Sequence, residues 1–473
     1  MTTRQRLALE AFCVFAATFW ATSCIRTSAQ TAKGAKDPGA RGGAAGAGNP
    51  LNNLTADEIA FFRDGQGRFA EIEVVQGGSN NGLGPRFNAN QCFACHSHPA
   101  IGGTSPAQNP LPDVGHLNGA TNTIPWFITP NGPIREARFK KSNGVPDGNV
   151  HALFVITGRR DAPSCSIAQF DFLPPGNPLT GQGGNPNIVF RIPTPVFGAG
   201  LIEAIPDSVI LANAQANVTQ KSAMGISGHP NSHLSGNVNR SANDGTITRF
   251  GWKAQNKSLL MFAAEAYNVE MGISNQLFPQ ERDETSTCLF TATPNDALNF
   301  TTPAAAATSN PAVVSDIEAF ANFMRMLAPP VPTPDTPSIA KGRATFIQVG
   351  CAHCHTPSLT TGKKIASGSS TVPSTALSNQ TAHLWSDLLV HHMGKGLADG
   401  ITQGSAGPDE FRTAPLWGVG QRIFFLHDGR TSNLVEAIGA HKSKGSEANR
   451  VIERFRRLSI RDQQDIINFL RAL

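Results

Sequence analysis

Charge is scarce in this chain. Asp, Glu, Lys and Arg make up 15% of its 473 residues, and the net charge is +5. No basic run stands behind that balance, so there is no electrostatic footprint for a nucleic acid. The weak positive excess reads as an ordinary solvated surface, which would also suit docking to an acidic electron carrier. Past the N-terminal segment no apolar run approaches the ~20 residues that a membrane helix requires. No loop spells an EF-hand, which removes the simplest calcium site. Gly (46) and Pro (33) are plentiful, as in a loop-rich globular protein outside the cytoplasm. The length suits two or three domains and a large core.

The N-terminus reads as an export signal. Arg4 and Arg6 precede an apolar stretch from Ala11 to Ala21, too short to span a bilayer. Two processing routes stay open. Ala21-Thr22-Ser23-Cys24 resembles a lipobox, which would leave Cys24 lipidated and give the protein its one membrane attachment. Ala rather than Leu three residues before Cys24 favours simple cleavage near Ala29. We therefore expect a signal peptide over 1–29, a periplasmic product, and a flexible Gly/Ala-rich linker over 30–54.

Eight cysteines are present. Cys13 and Cys24 fall in the export segment. Cys165 and Cys288 are left as a pair that an oxidising compartment would join, with two buried thiols as the alternative. The other four form Cys92-Phe93-Ala94-Cys95-His96 and Cys351-Ala352-His353-Cys354-His355. Each is a C-x-x-C-H motif, which points to c-type haem attachment. The two thiols can form thioethers to the two vinyl groups of one haem, and the following His then faces the iron. Zinc is the competing reading for paired C-x-x-C motifs. Their wide separation and the His after each argue against it, and a redox-active C-x-x-C lacks a thioredoxin-like setting. The expected cofactors are therefore two covalently bound c-type haems, with His96 and His355 as iron ligands. His98 and His353 are expected to face away.

Thr55-Ala56-Asp57-Glu58 before an apolar run predicts a capped helix. Residues 97–200 read as loops and short strands. Ser315 to Leu327 predicts a helix with Ile317, Phe320, Met324 and Leu327 on one face. The Pro-rich segment that follows cannot continue it. Helices are also predicted over Ser338 to Val349 and after Ser459. The expected fold is mainly α, with two cytochrome c-like haem domains, loop-rich insertions and a few short strands. The expected boundaries are 55–328 for the first haem domain, 329–337 for a Pro-rich linker and 338–473 for the second.

Several longer strings resemble a known family. They are Gly84–Asn90, Gly198–Pro206, Phe250–Gln255, Gly396–Gly400, Thr413–Gly418, Phe425–Arg430 and Leu434–Ile438. From about residue 55 onward the chain resembles the dihaem oxidoreductases of peroxidase type, also labelled thiol oxidoreductases. These are related to bacterial dihaem cytochrome c peroxidases. The resemblance implies that the helix after the His-Asp-Gly turn ends on the second ligand of the C-terminal haem. Here that residue is His441, where the family usually has Met, and Met393 is the rival. A bis-His iron would have a lower potential than a His/Met iron. His427 is read as structural or propionate-facing.

The resemblance also implies that Trp252 bridges the haems and that Glu270 moves a proton over the reactive iron of the first motif. Two departures count against that transfer: a slightly shorter spacing, and an apolar residue near Phe262 where the family has Gln. Glu203, in the strand-like apolar run Leu201–Ile205, is a second acid whose burial would raise its pKa. His116, His229 and His233 are candidates for a removable sixth ligand at the first haem. The implied function is periplasmic reduction of peroxide, or turnover of another small substrate, at the N-terminal haem. Electrons would come from the C-terminal haem and a small donor of the cytochrome c or cupredoxin type. A calcium ion between the haem domains is expected from the wider family. The alternatives are a non-catalytic dihaem electron carrier and a haem-dependent oxidase or oxygenase acting on an organic or protein substrate.

Overall fold

The computed structural model describes residues 34–172, 186–232, 247–297, 314–366 and 372–473. The segment expected to be an export signal and His233 lie outside them. Twelve α-helices are found among the described residues. They are α1 (Ala56–Phe69), α2 (Cys92–Cys95), α3 (Leu111–Val114), α4 (Ala199–Glu203), α5 (Asp207–Gln215), α6 (Val218–Met224), α7 (Leu259–Met271), α8 (Asp316–Met326), α9 (Pro337–Val349), α10 (Leu434–Ala440), α11 (Asn449–Arg457) and α12 (Ile460–Ala472). The strands are short, and the largest sheet has three. The protein is thus mainly α with few strands.

Local sequence explains the helix starts. Thr55 and Glu58 close a reciprocal capping box on α1, satisfying two backbone donors that a helix start leaves open. Ser315 caps α8 and Thr336 caps α9, with Pro337 in the first turn where its missing N–H costs nothing.

The two halves are built alike. α1 packs on α8 just as α9 packs on α12. Each crossing needs a glycine: a Cβ on Gly65 would lie 2.1 Å from the Ala319 carbonyl oxygen, and one on Gly342 would lie 1.9 Å from that of Asp465. A phenylalanine from the first helix of each pair then meets the motif histidine. Phe69 lies 5.9 Å from His96 and Phe346 lies 6.1 Å from His355, centroid to centroid.

The packing does not divide at 329–337. The larger apolar core takes in Leu359, Leu377, Leu384, Leu388 and Trp417 from the C-terminal part. A smaller core joins Phe346, Trp385, Phe425, Leu434 and Phe469.

Composition misleads at the N-terminal linker. Of the segment predicted to be a flexible tether, residues 34–51 form an extended strap. Leu51 N–H donates to Met326, Ala328 N–H to Asn49, Val331 N–H to Gly46 and Arg41 N–H to Gly420. Asp37 clamps Arg471 through both carboxylate oxygens at 2.7 and 2.6 Å. It also accepts from the Leu434 N–H at 2.6 Å, at the start of α10. Distant backbone and one buried ion pair supply the order that Gly and Ala side chains cannot.

In the Gly/Pro-rich insertion, Cys165 and Cys288 are joined as a disulfide across 123 residues. The three-stranded antiparallel sheet there places Glu136–Phe139 between Val150–His151 and Ile188–Arg191. Glu136 stands directly opposite Arg191. Alternation along the strand puts Glu136 and Arg138 on one face.

Two candidate haem cavities joined by a tryptophan

Each C-x-x-C-H motif winds into one turn, with the histidine N–H donating to the first cysteine's carbonyl at 3.1 Å (His96) and 3.0 Å (His355). The four motif cysteines are not disulfide-bonded. Cys92 and Cys95 border one cavity, and Cys351 and Cys354 border another. The two cysteine pairs line different cavities, so they cannot form one four-thiolate zinc site.

Three histidines share one device. The Nδ1 of His96 is held by the Gly103 carbonyl at 2.9 Å, that of His355 by Trp385 at 3.0 Å and that of His441 by Ala437 at 2.8 Å. A bond of this kind places the proton on Nδ1 and leaves the Nε2 lone pair for a metal. Burial lowers the pKa of all three, and His355 falls to about 4 with His441 as the next cause. They stay neutral, the form in which an imidazole can ligate a metal.

The second cavity holds both His355 and His441. His441 is the C-cap of α10. Met393 also lines this cavity. His427 stacks on Phe411 at 4.3 Å, and burial takes its pKa to about 4. Arg412 and Arg422 line the same wall. Arg412 Nη1 and Arg422 Nε and Nη2 are buried without hydrogen-bond partners, and burial pushes both residues down to about 10. Unpaired guanidinium donors beside an apolar cavity suit the carboxylates of a porphyrin. The residues present therefore fit a haem.

The first cavity is lined differently. Its one described histidine is His96, and opposite polarity comes from Glu136, Arg138, Arg191, Gln255, Glu265 and Glu270. Helix α7 brings in Glu270, whose carboxylate accepts from Asn88 Nδ2 at 2.8 Å. Asn88 and Ala89 also donate their backbone N–H to the Glu270 carbonyl, which ties α7 to the segment leading into the motif. Burial pushes Glu270 up to about 8, and the charge of neighbouring Glu136 adds to the rise. Burial acts on Glu136 the same way, but Arg138 and Arg191 outweigh it and hold Glu136 low. Arg138 Nε donates to Glu136 Oε1 at 2.6 Å. The pair thus carries one proton at neutral pH, on Glu270.

Trp252 borders both cavities. Its indole N–H donates to the Ile192 carbonyl at 2.8 Å. Its backbone carbonyl accepts from Arg412 N–H at 2.9 Å, and the next residue, Lys253, is buried with Nζ on the carbonyls of Gly407 and Glu410. The Phe250–Gln255 string is therefore locked to the C-terminal part, which fixes the ring in the partition.

Other sequence-predicted residues lie elsewhere. Glu203 is buried, but it is helical rather than in a strand, ending α4, and it lines neither cavity. It pairs with Arg325 at 2.7 Å and accepts from the Leu259 N–H at 2.8 Å at the start of α7, so it anchors α7 and α8. His116 is exposed, and His229 donates to Glu410 at 2.8 Å. Neither lines the first cavity. His98 bonds the Gln421 carbonyl at 2.7 Å, turned from its neighbouring cavity. Sequence reasoning missed Glu136, Arg138 and Arg191. The only available signal was the Glu-x-Arg alternation in the insertion.

A family model described as "Di-haem oxidoreductase, putative peroxidase" matches residues 185–473, more than half of the chain. No curated protein matches. Among solved structures, the chain is similar to the diheme peroxidase BthA from Burkholderia thailandensis E264, at 16% identity and TM-score 0.29, over 59% of this chain and 86% of that one. It is similar to a MauG-like protein associated with microbial copper homeostasis, at 16% identity and TM-score 0.27, over 59% and 90%. It is also similar to Kuenenia stuttgartiensis hydrazine synthase, at 19% identity and TM-score 0.21, over 36% of this chain and only 59% of that one. No described helix is long and apolar enough to cross a membrane.

Proposed function

The chain belongs to the di-haem oxidoreductase family, and from that premise we propose that it is an exported peroxidase-type enzyme. Peroxide is reduced in the cavity of His96, with electrons delivered through the cavity of His355 and His441. The observation that carries this reading is the inequality of the two cavities. One offers two histidines held at Nδ1 by backbone carbonyls, His355 and His441; the other offers one such histidine, His96, and a carboxyl pair. Two histidines that would both hold an iron suit electron storage, whereas a single histidine beside an acid would leave room to turn over a substrate.

Cys92, Cys95 and His96 would hold one haem, and Cys351, Cys354, His355 and His441 the other. When bound, each would supply an iron that changes valence by one electron. Arg138 and Arg191 keep Glu136 ionised, so Glu270 keeps the shared proton. A protonated carboxyl group can give its proton to one peroxide oxygen as the O–O bond breaks, and the carboxylate so formed can take one from the other oxygen. Asn88 holds Glu270 in place for this transfer. Trp252, fixed in the partition, places a π system between the cavities. A small periplasmic donor protein would supply the electrons.

The test is spectroscopy on the oxidised and half-reduced haem protein, with and without peroxide. A high-spin or weakly ligated ferric signal that disappears on adding peroxide is expected. Two low-spin irons inert to peroxide would overturn the reading.

A further inference from the structure

The chain has 28 phenylalanines and a single tyrosine, Tyr267. That residue lies on α7, one turn before Glu270, and lines the first cavity. It is 3% exposed. Its ring meets Phe320 edge-on at 5.1 Å. The phenylalanines lining that cavity, Phe69, Phe262 and Phe320, have no hydroxyl to satisfy.

Tyr267 Oη lies 3.1 Å from Asp316 Oδ2 and 3.4 Å from Glu73 Oε1. A buried hydroxyl needs only one acceptor, and a backbone carbonyl would serve. Two carboxyl groups make this a site for receiving a proton. Asp316 also bonds Arg68 at 2.9 Å, and its side chain is 33% exposed, so a proton placed there reaches solvent. Glu73 is buried, and burial lifts it to about 7. Burial and the neighbouring carboxylates push the phenol itself far up. A phenolate is therefore closed to Tyr267, and its proton can leave only together with an electron.

We propose that Tyr267 is a one-electron, one-proton redox station of the first cavity, oxidised to a neutral tyrosyl radical during peroxide turnover with its proton passing to the Asp316/Glu73 pair. This rests on the peroxidase reading above. Peroxide is the oxidant: it takes two electrons and two solvent protons and becomes two waters. One electron comes from Tyr267 as its O–H bond breaks, and that proton moves to Asp316 Oδ2. The other electron comes from the second cavity's centre. An electron from the donor protein later restores the phenol, and Asp316 returns the proton.

Because the chain holds one tyrosine, ring-deuterated tyrosine labels this residue alone. The experiment is rapid-freeze electron paramagnetic resonance of the haem-loaded protein after stoichiometric peroxide, with haem absorption followed in parallel. An organic radical whose hyperfine structure changes on ring deuteration and which is absent from Tyr267→Phe is expected. Asp316→Asn is expected to lower its yield. If haem absorption responds to peroxide but no deuterium-sensitive radical forms, the inference falls and the peroxidase reading stands. If haem absorption does not respond at all, both fall. Should Tyr267→Phe fail to fold, the labelled wild-type protein decides the question by itself.

Discussion

Glu136 and Glu270 come from a strand and a helix far apart in sequence and both line the first cavity, where the charge of Glu136 adds to burial in holding Glu270 protonated. Two acids this close cannot both ionise cheaply. Arg138 decides which of them keeps the proton.

Replacing the proton carrier should therefore cost turnover without disturbing haem loading. Glu270→Gln is expected to lower peroxide turnover by ~10²–10⁴-fold, the usual worth of a positioned acid–base group. Steady-state kinetics at matched haem content measures this. Unchanged turnover would remove Glu270 from the mechanism.

The same carboxyl group gives a pH signature in stability. Glu270 is lifted from 4.5 to about 8, so the folded state holds its proton more tightly than the unfolded chain. This contribution is fully present below pH ~4.5 and lost as pH rises through about 8. Unfolding free energy is expected to fall across that window, by up to ~1.4 kcal/mol per pH unit for one proton. Urea titrations should show a shallower decline in Glu270→Gln, and equal slopes in the two proteins would contradict the assignment.

On the proposed reading, His441→Ala would remove one of the two histidines that would hold the iron of the second cavity. One of the two haem signals then shifts from low to high spin. His441→Met should instead raise the potential of that centre, since Met ligation favours reduced iron. Potentiometric titration followed optically distinguishes the two centres. A spectrum unchanged by His441→Ala would transfer the role to another residue lining that cavity, Met393 first.

Asp37→Ala leaves Arg471 buried without its partner, and such a loss costs about 3 kcal/mol or more. The N-cap contact at Leu434 goes with it. Chemical denaturation should show the loss, and the His441-side haem signal should broaden while the His96-side signal holds. Lys36→Ala, at an exposed neighbour, should do neither.

The Cys165–Cys288 bond closes a 123-residue separation. Replacing both with Ser should cost about 2–5 kcal/mol, read as a lower urea midpoint. The cavity residues contributed by the insertion, Glu136 and Arg138, should lose order first, which hydrogen exchange would report.

The features legible in the sequence were those whose physics is local. Each C-x-x-C-H motif sits within one turn. The Thr55/Glu58 box and the Ser315 cap need four residues. The cysteine pair Cys165 and Cys288 could be found by elimination. Glu136 and Arg191 could not be found this way, because their meeting depends on strand pairing across a Gly- and Pro-rich stretch that carries almost no periodicity. Glu203 misled for a related reason. An acid in an apolar run is buried whether it serves chemistry or anchors a helix, and only its partner, Arg325, distinguishes the two. The strap was misread because Gly and Ala composition describes the chain's freedom and not its partners.

Those partners also set an order of assembly. A chain that emerges N-terminus first presents Asp37 long before Arg471 exists, since 434 residues separate them. Asp37 therefore waits, unpaired, while the larger core forms. Its clamp can close only when α12 arrives, and with it comes the last support for α10. The His441 cavity is finished by the joining of the chain's first described segment to its last.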